Sequence, residues 1–316
     1  MKRVYSARAC SILYNCVKTK RLSGCVVIPA NICETIPATY MKLGLEPIIC
    51  DISRKDWQID RNSLLKLLYT KNISVIHYNR TYGYISEKDN NFIGSIKKSF
   101  PNIYFVDDRC LCFPDLENRS QLADLVLYST GNVKCVDIGW GGFGYISDDS
   151  DYVEYQLDYC EEDLELFEKH IKQCHKKNVS IEKSIMVSKW LNMDSLKNKN
   201  YFSNVLTAMK GIIQHKRMIN EIYKDIPGSL PLNYCNWRYQ VLLENAKECY
   251  EALMRNNLYC SFHYKSLGDG YFANTPTPNS RYLEAHILNL FNDFHYSRNQ
   301  ALETAKLLKK IAIPCI

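Results

Sequence analysis

A lysine in the middle of the chain stands at fixed distances from a serine and from a pair of glycines. Lys134 follows Ser129 by five residues, and the pair Gly141-Gly142 begins seven residues after the lysine. The apolar run at residues 125–128 precedes the serine, which opens a Ser-Thr-Gly turn. This order is typical of a lysine that is presented at the end of a buried strand, beside a bound anion.

A second apolar run, residues 103–106, ends in two acids, Asp107 and Asp108, 26 residues before the lysine. Buried parallel strands are near-continuous apolar runs, and open α/β sheets bind ligands at the carboxyl ends of their strands. We therefore expect the lysine and one acid to lie at the same edge of one sheet. Because side chains alternate along a strand, only one of the two acids can face a ligand there.

A lysine and a carboxylate at one sheet edge are the two groups that pyridoxal phosphate requires. The lysine amine forms a Schiff base with this cofactor, and the acid keeps its pyridine nitrogen protonated. The alternative interpretation is a surface lysine in a glycine-rich loop, together with an acidic cap after the strand. These residues alone leave both interpretations open.

The two segments together resemble the DegT/DnrJ/EryC1/StrS aminotransferases, which are fold-type I enzymes that mostly aminate keto-sugar nucleotides. In that family a strand ending in an acidic pair carries the partner of the pyridine nitrogen. A later Ser-x-x-x-x-Lys segment, followed by Gly-Gly, carries a phosphate ligand and the Schiff-base lysine. The resemblance implies that Lys134 and Asp108 are catalytic and that Ser129 binds the cofactor phosphate, with Asp107 as the alternative to Asp108.

Further matches to the family lie in the first 147 residues. The segment Ser-Ala-Arg-Ala-Cys at residues 6–10 stands where the family has a phosphate-binding turn that opens a helix. The resemblance therefore implies that Ser6, Ala7 and Arg8 contact the cofactor phosphate, which helix amino ends favour. Other matching segments are residues 27–31, 43–52, 57–60 and 81–83.

The chain also departs from the family pattern. Cys33 stands near the place of an aromatic residue that usually stacks on the cofactor ring, so we expect this cysteine to contact the cofactor. Leu111 replaces a glutamine or histidine three residues after the acid. A Gly-x-Asn-x-Arg segment, which in the family reaches into the neighbouring subunit's site, is not recognisable in residues 151–200. These departures leave the keto substrate open.

Composition and charge exclude several classes of protein. A chain of 316 residues that is 46% hydrophobic can bury a full core. No apolar run approaches the roughly 18–20 residues of a membrane helix, and the first residues lack a secretory signal pattern. The net charge of +6 is not concentrated in a long basic cluster. We therefore expect a soluble, cytoplasmic protein that binds small molecules and neither nucleic acid nor a membrane.

The 14 cysteines are scattered and include no Cys-x-x-Cys pair. The spacings typical of zinc and thioredoxin sites are therefore missing, and we expect no metal. We interpret the cysteines as reduced and mostly structural. Cys110 and Cys112 are the exception, because they lie just past Asp108 and could form a wall of the site.

Short apolar runs alternate with helical patterns through the first 150 residues, which predicts an α/β fold with a mainly parallel sheet and helices on both faces. This arrangement agrees with the fold-type I pyridoxal-phosphate transferases that the resemblance implies. Residues 151–225 predict several long helices, and a Pro-Gly segment follows them. We assign residues 1–225 to a large cofactor-binding domain and 226–316 to a small C-terminal α+β domain.

The leading functional hypothesis is a pyridoxal-phosphate-dependent aminotransferase. It would move an amino group from an amino acid, with glutamate as the expected donor, to a keto-sugar nucleotide or similar keto substrate, in polysaccharide biosynthesis. A homodimer is expected, because the family builds its sites at the subunit interface. The alternatives are another reaction on the same cofactor, such as that of a lyase, decarboxylase or dehydratase, and a degenerate relative that binds without catalysis.

Overall fold

A computed structural model of the chain describes residues 1–117, 122–148, 150–155, 159–189 and 200–315. Its strands are β1 (Lys2–Ser6), β2 (Cys25–Pro29), β3 (Glu46–Cys50), β4 (Ile73–Asn79), β5 (Tyr104–Asp108), β6 (Leu125–Ser129), β7 (Gly142–Ile146), β8 (Tyr239–Leu242), β9 (Cys260–Ser261) and β10 (Ile287–Leu290). Its α-helices are α1 (Ala9–Thr19), α2 (Thr35–Lys42), α3 (Arg61–Thr70), α4 (Glu87–Ser99), α5 (Glu161–Lys177), α6 (Lys183–Met186), α7 (Tyr201–Tyr223), α8 (Ala246–Arg255), α9 (Pro278–His286) and α10 (Arg298–Ile311).

The larger sheet has seven strands in the order β1-β7-β6-β5-β4-β2-β3. Strands β3, β2, β4, β5 and β6 run parallel to one another. Strand β7 is antiparallel to both β6 and β1. The α/β fold with a mainly parallel sheet is therefore confirmed.

Alternate residues of the central strands pack into two different cores, one on each face of the sheet. On one face Val106 and Leu127 pack with residues of α1 and α2. On the other face Phe105 and Val126 pack with residues of α3, α4 and α7. This separation follows from the two-residue period of a strand, and it explains why the runs are apolar throughout. Helices cover both faces, as predicted.

Local sequence accounts for several helix starts. The Asp60 side chain accepts a hydrogen bond from the Ser63 amide at the start of α3, and Ser86 accepts one from the Asp89 amide at the start of α4. Helix α10 begins with a capping box at Ser297. Such caps satisfy amides that have no partner inside the helix. Helix α1 differs, because its N-cap residue is Arg8, which makes no side-chain capping hydrogen bond.

The C-terminal part forms a three-stranded antiparallel sheet in the order β8-β10-β9, which packs with α8 and α10 around its own core. Helix α7 spans both cores. Val205 and Ile212 pack beneath the large sheet, whereas Ile219 and Tyr223 pack in the core of the small sheet. The predicted domain boundary after residue 225 falls just beyond this helix and stays a prediction.

Some elements differ from the sequence-based expectations. Residues 2–6 form β1, an unpredicted strand that pairs with β7. Strand β9 has only two residues, Cys260–Ser261, which pair with Leu290 and Asn289 of β10. The helical segment contains α5, α6 and α7, and residues 156–158 and 190–199 of that segment lie outside the described residues. Within the described part of the chain, no helix has the length and apolarity needed to cross a membrane.

Candidate active site

A cavity of about 520 Å³ opens at the carboxyl ends of β4, β5 and β6. Asn79, Asp108 and Ser129, the last residues of these strands, all line it. Cavities of about 300–1,000 Å³ are typical of small-molecule sites, and the carboxyl edge is where open α/β sheets bind ligands. The cavity is therefore the leading candidate for the active site.

Most of the predicted site residues meet at this cavity. The predicted site residues that line it are Lys134, Asp108, Ser129, Ala7, Arg8 and Cys33. Ser6 is not among the lining residues. It lies in β1, where it pairs with Gly142, and α1 begins only at Ala9. The placement of Ser6 differs from the prediction because the strand continues to this residue, so the turn that opens the helix starts one residue later.

The two neighbouring acids face opposite sides of the sheet. Asp107 accepts hydrogen bonds from Arg80 Nε at 2.6 Å and from Arg109 Nε at 2.9 Å, and all three side chains are buried. Burial alone would raise the pKa of Asp107, but the charges of Arg80 and Arg109 lower it to about 2. Asp108 lines the cavity. Strand alternation thus gives Asp107 to an internal ion cluster and Asp108 to the site.

A buried hydrogen-bond chain supports Asp108 from behind. His77 Nε2 lies 2.9 Å from Asp108 Oδ2, and the Tyr40 hydroxyl lies 3.0 Å from His77 Nδ1. Burial raises the pKa of Tyr40 well above its usual value, so the hydroxyl keeps its proton and can donate it to Nδ1. With Nδ1 as acceptor, the proton of the imidazole lies on Nε2 and is donated to Asp108.

The same contacts keep Asp108 ionised. Burial would raise its pKa, but hydrogen bonds from His77 and from the Cys110 amide, at 2.8 Å, lower the pKa below its usual value. A carboxylate has about four lone-pair sites, and these two bonds occupy one on each oxygen. Asp108 can therefore still accept a hydrogen bond from a ligand in the cavity.

Lys134 lies on the loop between β6 and β7. Hydrogen bonds within the loop and one from the C-terminal part hold this loop in place. The Lys134 amide donates to Gly131 O at 3.3 Å, and the Val133 amide donates to Asp137 Oδ2 at 2.6 Å. From the C-terminal part, Trp237 Nε1 donates to Val133 O at 2.6 Å. In the described part of the chain, Lys134 Nζ has neither a hydrogen-bond nor an ion-pair partner. The amine is thus held near the cavity without a competing carboxylate.

The glycine pair after the lysine allows β7 to pack directly on α1. A Cβ at Gly142 would lie 2.7 Å from the backbone nitrogen of Ala9. Gly141 has φ +91°, and a Cβ there would lie 2.7 Å from the ring of Tyr201. Residues with a side chain do not fit either position. This close approach places the first turn of α1, whose amino end favours anions, at the cavity.

No protein-family model matches the sequence, and no curated protein matches it. Solved structures do match over nearly the whole chain. Spr1654, a putative sugar aminotransferase from Streptococcus pneumoniae in its PMP form, has a TM-score of 0.71 at 15% identity, with 98% of this chain and 87% of that chain covered. A DegT DnrJ EryC1 StrS aminotransferase from Brucella abortus has a TM-score of 0.70 at 14% identity, with 98% and 86% covered. DesI, solved in the presence of its TDP-sugar product, has a TM-score of 0.71 at 15% identity, with 98% and 80% covered.

The chain has the fold of the sugar aminotransferases. In this chain, the cavity described above lies at the carboxyl ends of β4, β5 and β6. At such low sequence identity the likeness concerns the fold, and the function has to be argued from the residues of the cavity.

Sequence reasoning missed an aromatic wall that the C-terminal part contributes to the cavity of this aminotransferase fold. Trp237, His263 and Tyr264 line the cavity. The Trp237 ring is parallel to those of Tyr264 and Tyr82, with centroids 6.3 and 6.5 Å away. No sequence pattern indicated this wall, because Trp237 and Tyr264 lie in the C-terminal part, far along the chain from Lys134.

Histidine and cysteine side chains at the wall are neutral. Burial, followed by the charges of Arg238 and Lys134, lowers the pKa of His263 to about 3. Burial raises the pKa of Cys33, and it raises that of Cys110 well above its usual value. Cys110 lines the cavity as predicted, whereas Cys112 is buried in the core of the large sheet. The His263, Cys33 and Cys110 side chains therefore add no charge to the cavity that Lys134 lines.

Proposed function

We propose that this protein is a pyridoxal-phosphate-dependent aminotransferase that moves an amino group from an amino acid to a keto-sugar nucleotide or a similar keto compound. The observation that carries the proposal is the convergence of Lys134, Asp108 and Ser129 on one cavity at the carboxyl edge of the sheet. The fold shared with sugar aminotransferases supports the reaction class. The TDP-sugar product of DesI supports the class of acceptor.

The cavity offers a partner for each end of the cofactor. An anionic phosphate fits beside Ser129, Arg8 and the amino end of α1, where the glycine pair keeps side chains away. A protonated pyridine nitrogen can donate a hydrogen bond to Asp108, which still has acceptor sites beside the bonds from His77 and the Cys110 amide. An aldehyde fits the amine of Lys134, which has no partner among the described residues. The cavity thus offers a suitable partner for the phosphate, the pyridine nitrogen and the aldehyde of the cofactor.

When bound, pyridoxal phosphate supplies an aldehyde that takes up the amino group and a ring that spreads negative charge. Lys134 would bind that aldehyde covalently and, once displaced by the amino donor, would move a proton at its Nζ. Asp108 would hold the proton on the pyridine nitrogen. His77 and Tyr40 would act through Asp108, because they keep this carboxylate ionised and oriented.

The aromatic wall would orient the ring and exclude water from the amine. Trp237 is 3% exposed, and its indole holds the loop of Lys134 through Val133 O. Tyr264 and Cys33 both line the cavity, so Tyr264 would supply an aromatic surface in a cavity that has the cysteine in place of the family aromatic. A loop held in this way keeps the lysine in reach of a bound ligand.

Glutamate is the amino donor that we propose, and a homodimer is the assembly. The donor follows from the family resemblance, and the dimer follows because that family builds its sites at the subunit interface. Sedimentation equilibrium of the protein with bound cofactor would measure the assembly. A mass equal to the 36.8 kDa chain would contradict the dimer.

The test is the visible absorption spectrum of the purified protein with pyridoxal phosphate, before and after addition of glutamate. We expect a visible band that is absent from the Lys134→Ala variant, present in a Lys55→Ala control, and bleached by glutamate. Lys55 is exposed and is not among the residues that line the cavity, so it controls for non-specific reaction of lysines with the aldehyde.

Two other results would redirect the assignment. A band that depends on Lys134 but does not respond to any amino donor would favour another reaction on the same cofactor. A protein without a lysine-dependent band would be a relative that binds ligands without catalysis, and the proposal would be wrong.

A further inference from the structure

A cluster of three different metal-binding side chains lies outside the cavity. The ligand atoms of Glu244, His286 and Cys315 all lie within 4.8 Å of one another. None of the three is among the described residues that line the cavity. They combine a carboxylate oxygen, an imidazole nitrogen and a sulfur atom, which is a donor set that zinc accepts.

Backbone hydrogen bonds bring the three residues together from distant parts of the chain. The C-terminal segment runs beside the end of β8, where the Cys315 amide donates to Leu242 O at 3.2 Å and the Glu244 amide donates to Ile313 O at 2.9 Å. His286, the last residue of α9, accepts a hydrogen bond on its carbonyl from the Leu243 amide at 2.8 Å. The positions of the three side chains therefore follow from the fold.

The orientation of His286 suits a metal ligand. Its Nδ1 lies 2.7 Å from Tyr282 O, and a carbonyl oxygen only accepts, so Nδ1 carries a proton. In the neutral ring Nε2 then has a bare lone pair, and it lies 3.5 Å from Glu244 Oε2. The ring also stacks on Tyr282 with centroids 4.1 Å apart. Metal-binding histidines are commonly held by such a hydrogen bond from the second ring nitrogen to a carbonyl.

We propose that Glu244, His286 and Cys315 bind a zinc ion. The separation of 3.5 Å between His286 Nε2 and Glu244 Oε2 agrees with the edge of a zinc tetrahedron, which is about 3.4 Å for bonds of about 2.1 Å. The Glu244 side chain is 50% exposed, so solvent can supply the fourth ligand. The site is independent of the aminotransferase assignment, because it shares no residue with the cavity.

The ion would hold the C-terminal segment beside the contact between α9 and the loop after β3. Helix α9, which carries His286, also contacts the loop after β3: the Ser280 amide donates to Asp51 Oδ1 at 3.0 Å. From the same loop, the guanidinium of Arg54 lies 3.6 Å from the centre of the Tyr282 ring. Zinc would thus link the end of β8, the end of α9 and the C-terminal segment at one point, which predicts a stabilising role.

The test is a titration of the metal-free full chain with Co²⁺, followed by displacement with Zn²⁺, in a phosphine reductant. We expect one ion per chain and a thiolate-to-cobalt absorption band. The affinity should fall at least about tenfold in Cys315→Ser and in His286→Gln. Cys25→Ser is the matched control, because Cys25 is also partly exposed and lies 3.8 Å from Glu46, but belongs to no three-ligand group among the described residues.

Thermal unfolding gives a second readout. Saturating Zn²⁺ should raise the midpoint by a few degrees in the parent protein and in Cys25→Ser, because a ligand that binds only the folded state stabilises it. The shift should vanish in Cys315→Ser and in Glu244→Gln, whose exposed side chain can be changed without disturbing a core. No cobalt–thiolate band at micromolar protein, or a band that survives in Cys315→Ser, would overturn the proposal.

Discussion

Replacing Gly142 by alanine tests the close packing of β7 on α1. The new Cβ would lie 2.7 Å from the nitrogen and Cα of Ala9, and 2.8 Å from its Cβ. These are mainly backbone atoms of the first turn of α1, so no flexible side chain can move aside. Overpacking of this kind costs about 1–3 kcal/mol in free energy of unfolding. Because the shift moves the amino end of α1, we also expect weaker binding of pyridoxal phosphate.

Gly94→Ala is the matched control, because it adds the same methyl group in an open place. Gly94 lies inside α4, and the nearest atom to a Cβ there is Leu122 Cδ2 at 3.9 Å. Alanine in place of glycine in a helix stabilises it by about 0.5–1 kcal/mol. Urea unfolding should therefore give midpoints that shift in opposite directions for the two variants. If Gly142→Ala were as stable as the parent protein, the packing argument would be refuted.

Replacing the two acids of β5 should give different phenotypes, one a loss of activity and the other a loss of stability. Asp108→Asn should lower the rate of amino transfer by about 10²–10³-fold, as for loss of one electrostatic partner in an active site, with little change in the urea midpoint. Asp107→Asn leaves Arg80 and Arg109 without their shared buried carboxylate, and should lower the free energy of unfolding by about 3–5 kcal/mol. A slow but stable Asp107→Asn variant would contradict this division. The pKa of Asp107 is about 2 in the folded protein, against an ordinary value of 3.8. Its ionised form therefore adds about 2 kcal/mol to the free energy of unfolding above pH 4 to 5, and this contribution is lost as the pH falls towards 2. Thermal unfolding between pH 6 and pH 2 should show this loss in the parent protein, and a smaller loss in Asp107→Asn.

Local patterns in the sequence were enough to find most strands of the large sheet, although not β1, and the strand ends where the candidate site residues lie. The runs that became β2, β5 and β6 are apolar because both faces of these strands are buried. The residues that follow such runs necessarily lie at one edge, so Asp108 and Ser129 could be assigned to a site from the sequence. Alternation also required one acid of the pair to turn away, but the pattern alone did not say which one.

Other features depend on residues far apart in sequence. The hydrogen bonds from Tyr40 to His77 and from His77 to Asp108 require α2 to pack beside β4. No pattern near His77 in the sequence indicates this packing. The aromatic wall is similar, because Trp237 reaches the loop of Lys134 across 104 residues of chain.

The sequence by itself determined the α/β class and placed Lys134, an acidic pair and Ser129 at or just beyond the ends of buried strands, because these features follow from short-range order along a strand and its turn. Only the tertiary structure decided which acid faces the cavity, that Ser6 stays in β1, and that Glu244, His286 and Cys315 meet. These outcomes depend on which elements pack together. Elements pack together by burying whole apolar faces, and the local sequence pattern of one face does not show which other face will cover it.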